Sequence, residues 1–296
     1  MRNKIIAIMY DFDKTLCTKD MQEYTFIPNL GINAEKFWSE ANLLREDCKM
    51  DLVLTYMYLM FKKTVENNTT LKRDYLNLMG RDIELFPGVE EWFSRINKYG
   101  EERGMKIEHY IISSGLKEII EGSKIAKNFK SIFASEFFYN DDGNAVWPKI
   151  SVNYTNKTQF LSRINKGVLD IYDDINLNKK MLEKERRIST ANMIYIGDGF
   201  TDIPCMKLVK DGNGVSIAVY TDKNLESAKT LLCDGRINYM AKADYSEGSD
   251  LDGFIKKTID TMVTNTELKN ISYSQLENFQ ESEWYYWMIF NSIFFW

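Results

Sequence analysis

The feature that most constrains this chain is a short pattern that recurs along it: a few apolar residues rich in isoleucine that break off into acids, serines or glycines. IIAIMY ends in DFD (Asp11 to Asp13), HYII ends in SSG (Ser113 to Gly115), and NMIYI ends in GDG (Gly197 to Gly199), while GVSIAVY is a fourth such run. Runs this short, with no polar alternation, fit strands buried on both faces, as in parallel sheets covered by helices. Helix-like stretches lie between them. PGVEEWFSRINKYGEERG has Pro87 suited to a first turn, LKEIIEGSKIAKNF starts at Leu116, NLNKKMLEKERR precedes the third run, and LDGFIKKTIDTMV follows the fourth. Strand alternating with helix predicts an α/β fold, a doubly wound parallel sheet. Ligands of such sheets bind beyond the carboxyl ends of the strands, so the polar triplets should converge.

One interval lacks the rhythm. Residues 17–85 read as helical, with apolar residues at three- and four-residue spacings in AEKFWSEANLLRED and DLVLTYMYLMFKKTVEN. A helical insertion beside a ligand site predicts a cap domain. The expected organisation is therefore a core of residues 1–16 and 86–263, a helical cap of 17–85, and a tail of 264–296. Trp38, Tyr56, Tyr58 and Phe61 read as the cap's own core, and Arg45 and Lys49 as cations that an anionic substrate could meet. YNDDGNAV reads as a hairpin with Asp142 and Gly143 at its turn. The tail ends in ESEWYYWMIFNSIFFW, too short to span a bilayer as a helix and interrupted by Asn291 and Ser292. An interfacial anchor, an oligomer contact, a strand tucked into the core and a segment not native to the fold all remain open for it.

Composition narrows the partners. A net charge of −5 argues against a nucleic-acid coat or a polybasic membrane anchor. A single histidine, His109, and four dispersed cysteines give little support to a zinc site or a histidine-based triad. Reduced thiols, with an N-terminal apolar run too short for a signal peptide and no transmembrane segment, predict a cytoplasmic protein. The expected partner is small.

Two aspartates one residue apart repel unless a cation or proton compensates them. A carboxylate at a strand tip can act as a nucleophile, and one two residues later projects from the same side of an extended chain. Attack on a phosphate further needs a metal ion, positive charge on the phosphoryl oxygens and an orienting donor. Asp198 and Asp202 in IGDGFTD could complete a carboxylate pocket for Mg2+, which prefers oxygen ligands. Ser113 offers a hydroxyl, and Lys157 in TNKTQFL a positive charge.

These four motifs in order, DFDKT, IISSG, NKT and GDGFTD, make the chain resemble the haloacid dehalogenase-like (HAD) hydrolase superfamily from Met1 to about Val263. The resemblance implies that Asp11 is the nucleophile forming an aspartyl-phosphate, that Asp13 moves the proton, and that Thr15 steadies Asp13 by hydrogen bonding. It implies that Ser113 and Lys157, with the backbone N–H groups of Phe12 and Ser114, hold the phosphoryl group. Asp11, the Asp13 carbonyl and Asp198 would bind Mg2+, and Asp202 would support the metal shell or orient Lys157. A helical insertion after the first motif is most similar to the phosphoserine phosphatase-like branch, in which Asp20 would face a substrate amine. The sequence departs from that branch at Lys14, at Thr201 and in its larger, more aromatic cap.

Other readings are weaker. A halide leaving group needs no proton donor, so Asp13 favours phosphate transfer over halide hydrolysis, and phosphonate hydrolysis is a further, less favoured activity of the superfamily. The register of P-type ion pumps, with Asp13 as nucleophile, lacks membrane-spanning runs. A calcium loop needs glycine where Leu16 stands, and IGDGFTD lacks the third glycine of a dinucleotide fingerprint. A binding or regulatory protein that keeps the fold with little turnover is the main alternative to a phosphatase of a small phosphorylated metabolite. Oligomeric state is not legible.

Overall fold

Isoleucines at 5, 6 and 8 favour extended backbone, and Ile5–Tyr10 forms β1, buried at every residue after the first. In the computed structural model, which describes residues 4–294 (backbone path alone for 184, 277, 278 and 280–294), six further strands flank it. They are β2 (Lys106–Leu116), β3 (Phe129–Tyr139), β4 (Ala145–Ile150), β5 (Met193–Gly197), β6 (Val215–Tyr220) and β7 (Tyr239–Lys242). The sheet order is β4-β3-β2-β1-β5-β6-β7, parallel throughout except for the antiparallel β3–β4 edge. The chain winds outward from β1 through β2 and β3, then returns to β5 and winds the other way. The crevice at the ends of β1 and β5 is thus the switch point of a doubly wound sheet.

Alternate side chains of β1 feed two cores. Ile6, Ile8 and Tyr10 pack with Trp92, Phe93 and Ile96 of α5 (Val89–Glu101) and with Leu251, Ile255 and Ile259 of α11 (Asp250–Phe294). Ala7 and Met9 face α7 (Lys157–Lys166), α9 (Ile203–Asp211) and α10 (Leu225–Cys233). The inserted segment contributes α1 (Phe26–Asn29), α2 (Ala34–Cys48), α3 (Leu52–Glu66) and α4 (Arg73–Met79). Its ends meet: Thr18 N–H donates to Glu84 O at 3.0 Å and Phe86 N–H to Leu16 O at 3.0 Å, with Cys17 and Leu85 bridged antiparallel.

Several expectations need correction. The helix expected from Leu116 is only α6 (Lys117–Glu121), and the chain then enters β3. A Cβ on Gly122 would lie 1.7 Å from the Asn77 carbonyl oxygen, so α6 ends where it presses on α4. NLNKKMLEKERR is not one helix: only its first three residues belong to the short α8 (Asp174–Asn178), and beyond them exposed Leu182 offers no buried stripe. Tyr58 and Phe61 are not cap core, being 48% and 37% exposed, whereas Tyr56 is buried and Trp38 partly so. The hairpin turn is closed by Gly143 N–H to Asn140 O at 2.9 Å, with Gly143 at φ +75°.

The tail is not a strand, since α11 runs 45 residues to Phe294, on the order of 70 Å. It packs on the core as far as Thr266, and Leu268, Ile271 and Leu276 beyond it are exposed. The side chains of 280–294, on which the anchor and oligomer readings depend, lie outside the described residues. No helix among the described residues is long and apolar enough to cross a membrane.

Candidate active site

Asp11 follows β1 directly, and its N–H donates to Ile196 O of β5 at 2.9 Å, so the sheet itself fixes its backbone. The chain then turns sharply. Phe12 O accepts from Leu16 N–H at 2.9 Å, and Lys14 takes a left-handed φ of 57°. Lys157, the first residue of α7, is launched by a turn in which its N–H bonds Asn153 O at 3.0 Å. Its ammonium is fully buried, 2.8 Å from Asp202 Oδ1 and 3.2 Å from Asp11 Oδ1. Tyr195 Oη of β5 also donates to Asp202 Oδ1, at 2.8 Å. Gly197 is required here, because a Cβ would sit 2.5 Å from Asp202 Oδ2.

Asp11, Asp198 and Asp202 each place a carboxylate oxygen within 4.8 Å of the others. Burial raises the Asp11 carboxyl to about 6, with Lys157 opposing and Asp202 adding to the rise. Burial, then Asp202 and Asp11, push Asp198 well above the usual carboxylate range. Burial opposes the Lys157 charge, but Asp11 and Asp202 outweigh it and drive its pKa up. One ammonium among three carboxylates leaves two negative charges uncompensated when all are ionised. The hard oxygen donors, the residual charge and the unpartnered Asp202 Oδ2 among the described residues fit a divalent cation such as Mg2+.

Asp13 stands apart from this cluster, its Oδ1 accepting from Met21 N–H at 2.9 Å and from the Cys17 thiol at 3.7 Å. Its pKa is raised well above normal by burial, then by Asp20 and Asp11, which favours the protonated form. Lys14 reaches not Asp13 but Asp20, at 2.6 Å. The expected bond from Thr15 to Asp13 is absent: Thr15 Oγ1 is buried with no hydrogen-bond partner among the described residues, while its backbone is engaged, its N–H donating to Phe12 O at 3.3 Å and its carbonyl accepting from Tyr245 Oη at 2.9 Å.

The β1–β2 register pairs Tyr10 with Ile111, bringing Ser113 alongside the turn after Asp11. β2 continues past SSG to Leu116, but its pairing with β3 shifts between Ile112 and Leu116, so Ser113 to Gly115 bulge out. Ser113 Oγ accepts from Gly115 N–H at 3.0 Å. A Cβ on Gly115 would meet Met21 Cε at 2.1 Å and Asp13 Oδ2 at 2.9 Å, so this bulge lies directly against Asp13.

Sequence reasoning did not single out Tyr56, Met21, Tyr195 or Asp51 as site-forming. Tyr56 Oη donates to Ser114 O at 2.6 Å, and Asp51, the N-cap of α3, accepts from Asn153 Nδ2 at 2.9 Å. The signal for Tyr56 was available: a tyrosine on a buried helical stripe must find its hydroxyl a partner.

Residues 8–207 match the model of the haloacid dehalogenase-like hydrolase family. The chain is 30% identical to an uncharacterized protein of Borreliella burgdorferi, over 87% of this chain and 98% of that protein. The fold is similar to a HAD family hydrolase from Salmonella enterica serovar Typhi (TM-score 0.56, 16% identity, 84% of this chain and 73% of that one). It is also similar to phosphoserine phosphatase captured as a phospho-aspartyl intermediate analogue (TM-score 0.52, 17% identity, 87% and 99%). With the family match covering most of the sheet and all four motif regions, the chain belongs to the haloacid dehalogenase-like hydrolase family.

Proposed function

We propose that the protein is a Mg2+-dependent phosphatase acting on a small phosphomonoester through a phosphorylated Asp11. The observation that supports this most is the sharing of one buried ammonium by Asp11 and Asp202, with Asp198 beside them and a protonation-prone Asp13 set apart. Bound Mg2+ would be held by Asp11, Asp198 and the Asp13 carbonyl, with Asp202 in support, and would neutralise charge on the acids and the phosphoryl oxygens. An Asp11 carboxylate oxygen bonds to phosphorus as the ester oxygen leaves, and Asp13 gives that oxygen its proton. Asp13, now ionised, takes a proton from the water that attacks the acyl-phosphate, which releases phosphate and restores both acids. Lys157, the Ser113 hydroxyl and the N–H groups of Phe12 and Ser114 hold the phosphoryl oxygens.

Residues 17–85 act in this reading as the cap that selects the substrate, joined to the core of 1–16 and 86–263 by the hydrogen-bonded segments at Leu16 to Thr18 and Glu84 to Phe86. Asp20 is paired with Lys14, so a substrate amine at this place would compete with the Lys14 ammonium. Four free cysteines suit a reducing, cytoplasmic setting. The test is hydrolysis of an aryl phosphate by the purified protein with and without Mg2+, followed by a panel of phosphorylated metabolites. Turnover that needs Mg2+ and disappears in Asp11→Asn is expected. No metal-dependent turnover of any phosphate ester would instead favour a binding protein.

A further inference from the structure

We propose that Tyr56 is a positioning residue, which fixes the Ser113 hydroxyl toward the phosphate from the inserted segment. Regular pairing of β2 with β3 lapses between Ile112 and Leu116, so the ladder does not orient the peptides there. Gly115 N–H nevertheless donates to Ser113 Oγ at 3.0 Å. With that acceptor position filled, the single hydroxyl proton of Ser113 is left to donate to an external acceptor. This arrangement holds only while the peptide between Ser114 and Gly115 keeps its plane.

Two donors keep it. Ser114 O accepts from Tyr56 Oη at 2.6 Å and from Ser135 Oγ at 3.1 Å, and Ser135 Oγ in turn accepts from Val152 N–H at 3.0 Å. Since the peptide unit is planar, pinning its carbonyl aims its N–H. Tyr56 is 5% exposed, so water competes little for the bond. Packing does not account for the hydroxyl: Tyr56 shares the buried stripe of α3 with Val53, Met57 and Met60, and phenylalanine would fill the same space.

The helix that carries Tyr56 is itself anchored to the other phosphate-holding group. Asp51 Oδ1 caps α3 through Val53 and Leu54 N–H, and its Oδ2 accepts from Asn153 Nδ2 at 2.9 Å. Asn153 O then receives Lys157 N–H. Helix α3 therefore braces the Ser113 bulge and the Lys157 turn together.

The catalytic consequence rests on the phosphatase reading, so the test has an arm that does not. In the ligand-free protein, Gly115 amide hydrogen exchange should accelerate several-fold in Tyr56→Phe and in Ser135→Ala, while the Asp11 amide is unchanged. In turnover, Tyr56→Phe should lower kcat/KM about fivefold, the size of one neutral hydrogen bond, and weaken inhibition by inorganic phosphate to the same degree. In a Ser113→Ala background the same change should add no further loss. Wild-type turnover with unaltered Gly115 exchange in Tyr56→Phe, or an equal penalty in both backgrounds, overturns the brace. Faster Gly115 exchange in a protein with no turnover supports the brace and removes the phosphatase reading.

Discussion

Lowering the pH should destabilise this protein through one buried ring. His109 lies under the end of β1, where Trp92 Nε1–H donates to Tyr10 Oη at 2.8 Å. With the Tyr10 hydroxyl donating to His109 Nδ1 at 3.0 Å, the ring donates from Nε2 to Asn97 Oδ1, also at 3.0 Å. That chain uses the neutral ring. Burial lowers the His109 pKa from 6.5 to about 3. Between those values the unfolded chain binds a proton that the native ring refuses, so stability falls as pH falls, by about 1.4 kcal/mol per pH unit. From pH 7 to pH 5 the loss is about 2 kcal/mol. Asp11, Asp13 and Asp198, with raised pKa values, act in the opposite direction over part of this range. They cancel when the wild type is compared with His109→Gln by urea unfolding at each pH. The stability difference between the two should shift against the wild type by about 2 kcal/mol on going from pH 7 to pH 5. As the only histidine, His109 also has ring resonances that need no assignment, and they should not titrate near neutrality. A folded-state midpoint near 6.5, or a difference independent of pH, refutes the reasoning.

Three further outcomes are expected. Millimolar Mg2+ should raise the melting temperature, reversibly with chelator, and Asp198→Asn should abolish the rise; an equal rise in the variant would remove Asp198 from the metal site. Lys157→Met should cost about 3–5 kcal/mol in urea unfolding by stranding buried carboxylates, and adding Asp202→Asn should recover part of it; a double variant no more stable than the single one would show that the loss is not electrostatic. Gly122→Ala should destabilise by at least about 3 kcal/mol, because the new Cβ would overlap the Asn77 carbonyl; a melting temperature within about 2 °C of wild type would contradict that contact.

The core of the site was legible because its chemistry sits at strand ends, and parallel register brings such ends together whatever lies between them in sequence. Asp11 and Asp198 were found in this way, whereas Asp202, just before α9, and Lys157, which opens α7, were read from their motifs. Ser113 was found as well, although not the bulge that holds it. β3 begins only at the last residue of LKEIIEGSKIAKNF and was not singled out, because Lys130, Ser131, Ser135 and Glu136 interrupt its apolar residues, while the helix expected before it stops early where Gly122 meets the distant Asn77 carbonyl. The inward stripe of α3 was ambiguous because LVLTYMYLMF is apolar nearly all round, so spacing could not separate buried Tyr56 from exposed Tyr58 and Phe61. The partner of the Tyr56 hydroxyl lies 58 residues away, beyond any local pattern. The Thr15 hydroxyl, expected on Asp13, makes no such bond, and Asp13 Oδ1 accepts instead from Met21 N–H and the Cys17 thiol.

The closed neck between Leu16 and Phe86 has an evolutionary corollary. Because the chain departs and returns through adjacent hydrogen-bonded residues, the sheet experiences the whole excursion from Cys17 to Leu85 as a tight hairpin. In the phosphatase reading proposed above, its length and content can change, and substrate preference with them, while the register of β1 and β2 keeps the reacting groups in place. The cost of a foreign graft falls on the contacts that the excursion makes with the core away from the neck, among them those of Tyr56 and Asp51, the bond from Ala145 N–H to Leu71 O, the Arg73–Glu136 ion pair and the close fit of α4 against α6.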